Sequence, residues 1–382
     1  MKRRLIVITE IIAPYRIPVF NALAAHPEFD LHVLFLSETD PSLRQWHIYK
    51  EEIRFCYEVL PSLRWRLGRY NLLLNRRVPA TLSSFRPDVI LCGGYTYLAA
   101  WQAAYWAHRR RVPLLLWTES TAADQRHLRP AVEALKRLFL RQCAAFAAAG
   151  QSSREYLRQF GIADRNIFTA PDAVDNDYFC TRAEIARSDA ATVRRKLNLP
   201  PRYFLSVGRL IEAKGVFDLL EAYAKLDAEL RFTVNLVFVG NGVAQAELAK
   251  RAEAISPGRV EFRGFLQREE LPALYALAEV LVFPTHSDPW GLVVNEAMAC
   301  GLPVIATDVA GCTPDLVLDA ITGFVVPAHN PDRLAESLSR VATDREQTLR
   351  MGRQAALKIQ DHSPAACAAG MAEAALSVGG KQ

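Results

Sequence analysis

The feature that most constrains this chain is a repeated pattern. A short run of large apolar residues, almost free of charge, closes on glycine or a polar loop, and a stretch of helix-forming composition follows. Leu5-Ile6-Val7-Ile8-Thr9 opens the series. Leu31-His32-Val33-Leu34-Phe35-Leu36, Asp88-Val89-Ile90-Leu91-Cys92 and Pro113-Leu114-Leu115-Leu116-Trp117-Thr118 continue it. It restarts at Tyr203-Phe204-Leu205-Ser206-Val207 and recurs at Asn235-Leu236-Val237-Phe238-Val239, Val280-Leu281-Val282-Phe283 and Pro303-Val304-Ile305-Ala306-Thr307. Unbroken apolar runs, rather than alternating ones, suit strands buried on both faces, as in a parallel sheet covered by helices. Strand alternating with helix predicts an α/β chain with doubly wound sheets, whose ligands bind at the carboxyl ends of the strands. The restart predicts two such Rossmann-like domains facing each other across a cleft, and 382 residues suffice for both. The first is expected over residues 1–185 and the second over 186–360. Residues 361–382 are expected to form a C-terminal helix returning toward the first domain. The boundary falls within 172–200, a charged stretch with few large apolar residues that closes with Pro200-Pro201.

Residues 284–301 carry the densest chemistry. The apolar run 280–283 ends at Pro284, residues 292–300 contain neither glycine nor proline, and Gly301-Leu302-Pro303 stops them, which predicts strand, loop, helix. Gly291 stands where the backbone must turn tightly and approach a ligand. The amides of Leu292 and Val293 then open a helix as unpaired donors, an arrangement suited to an anion. Asp288 in the loop and Glu296 on the helix bracket this place.

Arg209 and Lys214 lie together in the loop after another predicted strand, between Gly208 and Gly215. An arginine fork with a lysine point charge suits a diphosphate. Cations at a helix start oppose its dipole, so an anion is the natural compensation. No Walker loop, Gly-x-Gly-x-x-Gly fingerprint or Asp-x-Asp at a strand end occurs, and no histidine pair has metal-ligand spacing. Neither a metal nor a dissociable cofactor is therefore expected.

The net charge of +5 is uneven: residues 1–180 hold 24 Lys and Arg against 17 Asp and Glu, a net +7, and the remainder carries −2. A basic first half suits an anionic membrane surface or a phosphorylated acceptor. Within it, residues 41–77 read as irregular and rich in Trp, Tyr and Arg. Arg64, Trp65, Arg66, Arg69, Arg76 and Arg77 follow one another without an acid between, as on a solvated helix face or at a headgroup layer. Residues 89–107 are uncharged and precede His108-Arg109-Arg110-Arg111, but Gly93-Gly94 and four polar residues argue for strand, turn and helix over a membrane span. Glu10 and Pro14 interrupt the apolar N-terminus too early for a signal peptide. Seven cysteines without a Cys-x-x-Cys pair fit a reducing cytoplasm, with association at the inner membrane face.

Gly208-Arg209-Leu210 with Lys214-Gly215, Gly240-Asn241-Gly242, and Asp288-Pro289-Trp290-Gly291 with Glu296-Ala297-Met298-Ala299-Cys300-Gly301 together resemble the retaining glycosyltransferases of family four (glycosyl transferases group 1), which have the GT-B fold. Gly150-x-Ser152 and Pro171-Asp172-Ala173-Val174-Asp175 extend the resemblance into the first half. It implies a nucleotide-diphosphate sugar as donor substrate, bound by the second domain, and an acceptor bound by the first. Arg209 and Lys214 would hold the diphosphate, helped by Gly208, Gly240 and the amides near Gly291 and Leu292. Glu296 would hold the ribose hydroxyls, Asp288 would touch the donor sugar, and the base would lie near Gly264-Phe265-Leu266. The family usually has Glu where this chain has Asp288, one methylene shorter. Where many relatives have a glycine-rich loop after the first strand, this chain has Ala13-Pro14-Tyr15-Arg16. Tyr15, Arg16, Tyr95 and Glu119 are the acceptor-side candidates, with Glu10 a possible partner for Arg16.

The expected reaction is sugar transfer to an acceptor hydroxyl with retention at the anomeric carbon. The acceptor is expected to be a lipid-linked, envelope or exopolysaccharide glycan; no nucleic acid partner is expected. Two rivals are an epimerase of the same architecture, which needs no acceptor, and a non-catalytic nucleotide-sugar-binding subunit. Turnover of donor by the isolated chain with an acceptor separates them.

Overall fold

The computed structural model describes residues 2–40, 45–67, 70–122 and 130–379. The chain divides into two compact units, Met1–Val174 with Pro364–Gln382, and Asp175–Ser363.

The first unit holds β1 (Arg3–Thr9), β2 (Phe29–Phe35), β3 (Cys56–Val59), β4 (Leu63–Leu67), β5 (Tyr70–Leu74), β6 (Val89–Cys92), β7 (Leu114–Thr118), β8 (Ala145–Ala148) and β9 (Ile167–Thr169). Seven of these form a parallel sheet in the order β3-β2-β1-β6-β7-β8-β9, so the winding reverses between β1 and β6. The period of two sends Leu5 and Val7 of β1 into one buried cluster and Ile6 and Ile8 into another on the opposite face. This is why the strand carries no polar alternation. The helix Pro364–Ser377 closes one of these clusters with Cys367, Met371 and Ala374.

The second unit holds β10 (Tyr203–Val207), β11 (Asn235–Val239), β12 (Val260–Phe262), β13 (Val280–Phe283), β14 (Val304–Thr307) and β15 (Gly323–Val326). They make one parallel sheet, order β12-β11-β10-β13-β14-β15, with its reversal between β10 and β13. Phe204, Phe238, Val282 and Ile305 pack under helices on one face, while Leu205, Val237, Leu281 and Val304 are fully buried as well.

Three expectations change. Residues 41–77 are not irregular throughout: β3 extends the parallel sheet beside β2, and β4 and β5 form an antiparallel hairpin. Leu63-Arg64-Trp65-Arg66-Leu67 alternates apolar and polar residues, the period of a strand, beneath its basic composition. Arg69 of the expected Arg/Trp run, with residues 41–44, lies outside the described residues. The boundary falls between Val174 and Asp175, inside the expected 172–200, and the helices Asn176–Ser188 and Ala190–Leu197 fill most of that stretch. Asp175 caps the first, its Oδ1 accepting the Tyr178 amide at 3.0 Å. That helix packs on the helices Leu271–Leu277 and Leu292–Ala299, so the second unit begins at Asp175 rather than at 186. The expected C-terminal helix starts at Pro364 rather than 361, and residues 380–382 of that segment lie outside the described residues. Residues 89–107 form β6, a glycine turn and the helix Leu98–Arg110, and among the described residues no helix is long and apolar enough to cross a membrane.

Candidate functional site

The reversal of strand order between β10 and β13 leaves a crevice at their carboxyl ends, because the connections that follow them leave toward opposite faces. The loop after β10 carries Gly208, Arg209 and Lys214; the loop after β13 carries Asp288 and Gly291. Neighbouring loops press against them. The Gly208 amide donates to Val239 O at 2.9 Å, Leu210 N to Asn241 O at 2.9 Å, and Gly240 N to Gly264 O at 2.7 Å. A Cβ on Gly240 would stand 1.9 Å from the Gly208 carbonyl oxygen, so only glycine permits this approach. Gly208, Gly240 and the Gly264-Phe265-Leu266 turn are thereby gathered at one edge, with the Phe265 ring 39% exposed.

Gly291 has φ 104° and caps the helix Leu292–Ala299. A Cβ there would also meet the Phe283 ring at 2.6 Å. Val294 N returns to Gly291 O at 2.9 Å, while among the described residues the Leu292 and Val293 amides have no backbone acceptor. Trp290 anchors this turn from below: it is 2% exposed, and its indole N–H donates to Asn295 Oδ1 at 2.9 Å.

The two loops are fastened together by Lys214, which forms an ion pair with Asp288 Oδ2 and reaches Ser287 O at 3.4 Å. Asp288 also accepts the Trp290 amide on Oδ1 at 3.2 Å, and its carbonyl accepts Gly311 N at 2.9 Å. The carboxylate expected to face a sugar thus braces the loop as well. Arg209 differs: it is exposed, and among the described residues no hydrogen bond or ion pair engages its guanidinium. Glu296, one turn into the helix, accepts the Tyr275 hydroxyl at 2.6 Å. Desolvation pushes its carboxyl up to about 7, and the Tyr275 hydrogen bond offsets part of that rise.

The first unit gathers three of its four candidates. Arg16 donates to Glu119 Oε1 at 2.9 Å and to Thr9 Oγ1 at 2.7 Å. Its guanidinium lies 4.5 Å from the centre of the Trp117 ring and 5.7 Å from that of Tyr15. Burial works against the Arg16 charge, but Tyr15 and the carboxylates of Glu119 and Asp172 outweigh it and raise its pKa. Glu119, rather than Glu10, is its ion-pair partner. Tyr95 sits among other residues, its ring 5.8 Å from Phe139 and beneath Lys136.

Two constellations had no sequence signal. Tyr275 lies 21 residues before the Glu296 it supports. Asp218, His286 and His329 place their ligand atoms within 4.8 Å of one another, although no sequence spacing joins them.

Comparison with known proteins agrees with this architecture. A model described as "Glycosyl transferases group 1" matches residues 189–358, and one described as "Glycosyltransferase Family 4" matches residues 21–178. The chain is similar to a D-inositol 3-phosphate glycosyltransferase of Streptomyces bingchenggensis, 38% identical over 177 residues, which are 44% of this chain and 39% of that protein. It is also similar to a 2-deoxystreptamine glucosyltransferase of Streptomyces kanamyceticus, 33% identical over 221 residues, covering 56% of this chain and 55% of that one. The chain thus spans about two fifths to half the length of the curated relatives it matches. Among solved structures, HepE from Anabaena in complex with UDP and glucose superposes with a TM-score of 0.78 at 19% identity, over 98% of this chain and 100% of that one. The same protein has been solved in complex with UDP-glucose.

Proposed function

This chain belongs to the group 1 glycosyltransferases of GT-B fold, and from that premise we propose that it moves a sugar from a nucleotide-diphosphate donor to an acceptor hydroxyl, with retention at the anomeric carbon. The observation that carries the proposal is the Lys214–Asp288 ion pair. It locks the cationic loop after β10 to the loop after β13, so that two cations and a glycine-started helix serve the same crevice. As the sugar–phosphate bond breaks, charge builds on the leaving diphosphate. Arg209, Lys214 and the Leu292 and Val293 amides meet that charge where it develops, which lowers the barrier rather than merely tightening binding. Lys214 exchanges part of its bond with Asp288 for the phosphate, which frees the Asp288 carboxylate to turn toward the sugar. No side chain is assigned as nucleophile; the leaving phosphate takes the acceptor proton on the same face. Glu296, ionised, accepts the ribose hydroxyls, and the base lies against Phe265 and Leu266. HepE in complex with UDP-glucose supports a nucleotide sugar as the donor.

We place the acceptor against the first unit and read it as a lipid-linked or envelope glycan, since the net +7 of residues 1–180 suits an anionic surface. The names of the two curated relatives favour a second reading, a soluble cyclitol acceptor. The test begins with thermal unfolding of the full chain against a panel of nucleotide-diphosphate sugars. The matching donor raises the midpoint in a concentration-dependent way. Transfer is then followed with lipid-linked and cyclitol acceptors, and product anomeric configuration is read by NMR. Failure of every nucleotide sugar to stabilise the chain overturns the assignment; an inverted product overturns the retaining mechanism.

A further inference from the structure

Beside the crevice, three side chains from three different loops converge. Asp218 stands in the first turn of the helix Val216–Ala224, after β10. His286 lies in the loop after β13, and His329 in the turn between β15 and the helix Pro331–Thr343. Their ligand atoms all lie within 4.8 Å of one another. His286 Nε2 is 2.9 Å from Asp218 Oδ2, and the two imidazole rings are 3.7 Å apart at 33°. His329 holds a left-handed backbone, φ 57°, which non-glycine residues seldom adopt. The Asp308 carboxylate helps to hold its turn by accepting the Ala328 amide at 3.0 Å. Asp218 and His286 are half-buried, whereas His329 is exposed and can swing.

Two imidazoles and one carboxylate are the donor set of a borderline transition metal; magnesium and calcium take oxygen ligands. We propose that Asp218, His286 and His329 bind a divalent transition metal of the zinc class, with a fourth position left to water. Tetrahedral zinc bonded at roughly 2.0–2.2 Å spaces its ligand atoms by about 3.3–3.6 Å. The Asp218–His286 pair therefore opens by a few tenths of an ångström, and the exposed His329 ring rotates out of its stack. The ion ties together the carboxyl ends of β10, β13 and β15. His286 also donates its amide to Ala213 O at 3.0 Å, between the ion and Lys214, and Asp288 follows two residues later. Occupancy thus stiffens the loop that carries the Lys214–Asp288 pair and takes no part in bond making.

The test is titration of the untagged, metal-stripped full chain with cobalt(II), followed by its visible absorption and by displacement with zinc. One equivalent should produce bands of low-coordinate, imidazole-ligated cobalt. His329→Asn, which keeps a residue that tolerates the left-handed turn, should weaken cobalt binding at least 30-fold, and Asp218→Asn at least 10-fold. A parent chain that takes up no stoichiometric cobalt at about 100 µM free ion, or a His329→Asn chain that binds as tightly as the parent, overturns the site.

Discussion

Arg16 and Glu119 in the first unit, and Arg209 and Glu296 in the second, follow strands at the carboxyl ends of their sheets, and the two pairs are handled in opposite ways. In the first unit Arg16 is joined to Glu119 at 2.9 Å, bonded to Thr9 and stacked on Trp117. In the second, among the described residues, no hydrogen bond or ion pair engages the exposed Arg209, and Glu296 is desolvated against a phenol without a salt-bridge cation. Topology alone does not separate them, since both arginines follow the strand at which the winding reverses. What separates them is neutralisation. A cation already satisfied by its own fold has little left for a ligand's charge, and a carboxylate paired at home gains little from a hydroxyl. The second unit keeps Arg209 and Glu296 apart, at a cost in stability, and a ligand with a negative and a hydroxylic end can join them. The first unit spends Arg16 and Glu119 on holding its own loops.

Removing each arginine breaks this comparison most directly. Arg209→Ala should lower turnover by several orders of magnitude, a barrier increase of roughly 3–5 kcal/mol. It should weaken binding of the donor's nucleoside diphosphate and leave the thermal midpoint within a degree or two, because among the described residues no hydrogen bond or ion pair engages its exposed side chain. Near-normal transfer by that variant overturns its role. Arg16→Met should do the reverse. It leaves Glu119 without its cation in a partly buried place, which costs about 2–4 kcal/mol of stability. Affinity for the donor's nucleoside diphosphate, measured below the variant's lowered midpoint, should stay unchanged. An Arg16→Met chain as stable as the parent would show that the pair is an idle surface bridge.

Much of the fold was legible because buried parallel strands announce themselves. β1, β10 and β13 are runs that no surface element would carry, and Gly208 after β10 and Pro284 after β13 mark the start of their loops. Asp288 and Glu296 were legible for the same reason, as they flank one local strand–loop–helix. What the sequence hides is what sheet order brings together. Glu119 reaches Arg16 across 103 residues because β7 lies two strands from β1; the nearer Glu10 was the natural guess and is not its ion-pair partner. His286 finds Asp218 across 68 residues in the same way, beyond any metal-spacing rule. The β4–β5 hairpin was hidden by composition, since its arginines suggested a solvated helix face while its alternation was that of a strand. The charged composition of the helix Asn176–Ser188 hid where the boundary falls and left it in the first domain, yet the helix belongs to the second unit and buries Phe179 and Ala183.

The smallest effects refine the second half of the comparison, the glutamate without a cation. Glu296 titrates near 7 in the folded chain against an ordinary 4.5. Between those values the folded chain holds a proton that the unfolded chain has lost, so this residue's contribution to stability is fullest below 4.5. It falls as pH rises toward 7 and stays low above it. Glu296→Gln removes that fall, so denaturant unfolding should find the variant more stable than the parent at pH 8 by ~1–3 kcal/mol, and closer to it at pH 5. On the proposed role of Glu296 the ribose hydroxyls need the ionised acceptor, so the parent's affinity for the donor's nucleoside diphosphate should gain a component that rises through about 7 and is missing in Glu296→Gln. Tyr275→Phe deletes a hydrogen bond that favours the charged form. A bond of this kind is worth about 1 kcal/mol, which moves the midpoint of that component upward by up to about one pH unit. Superimposable profiles of nucleoside-diphosphate binding for Tyr275→Phe and the parent between pH 6 and 9 would mean that Tyr275 does not hold the carboxylate in the ionised form that the proposed ribose contact requires.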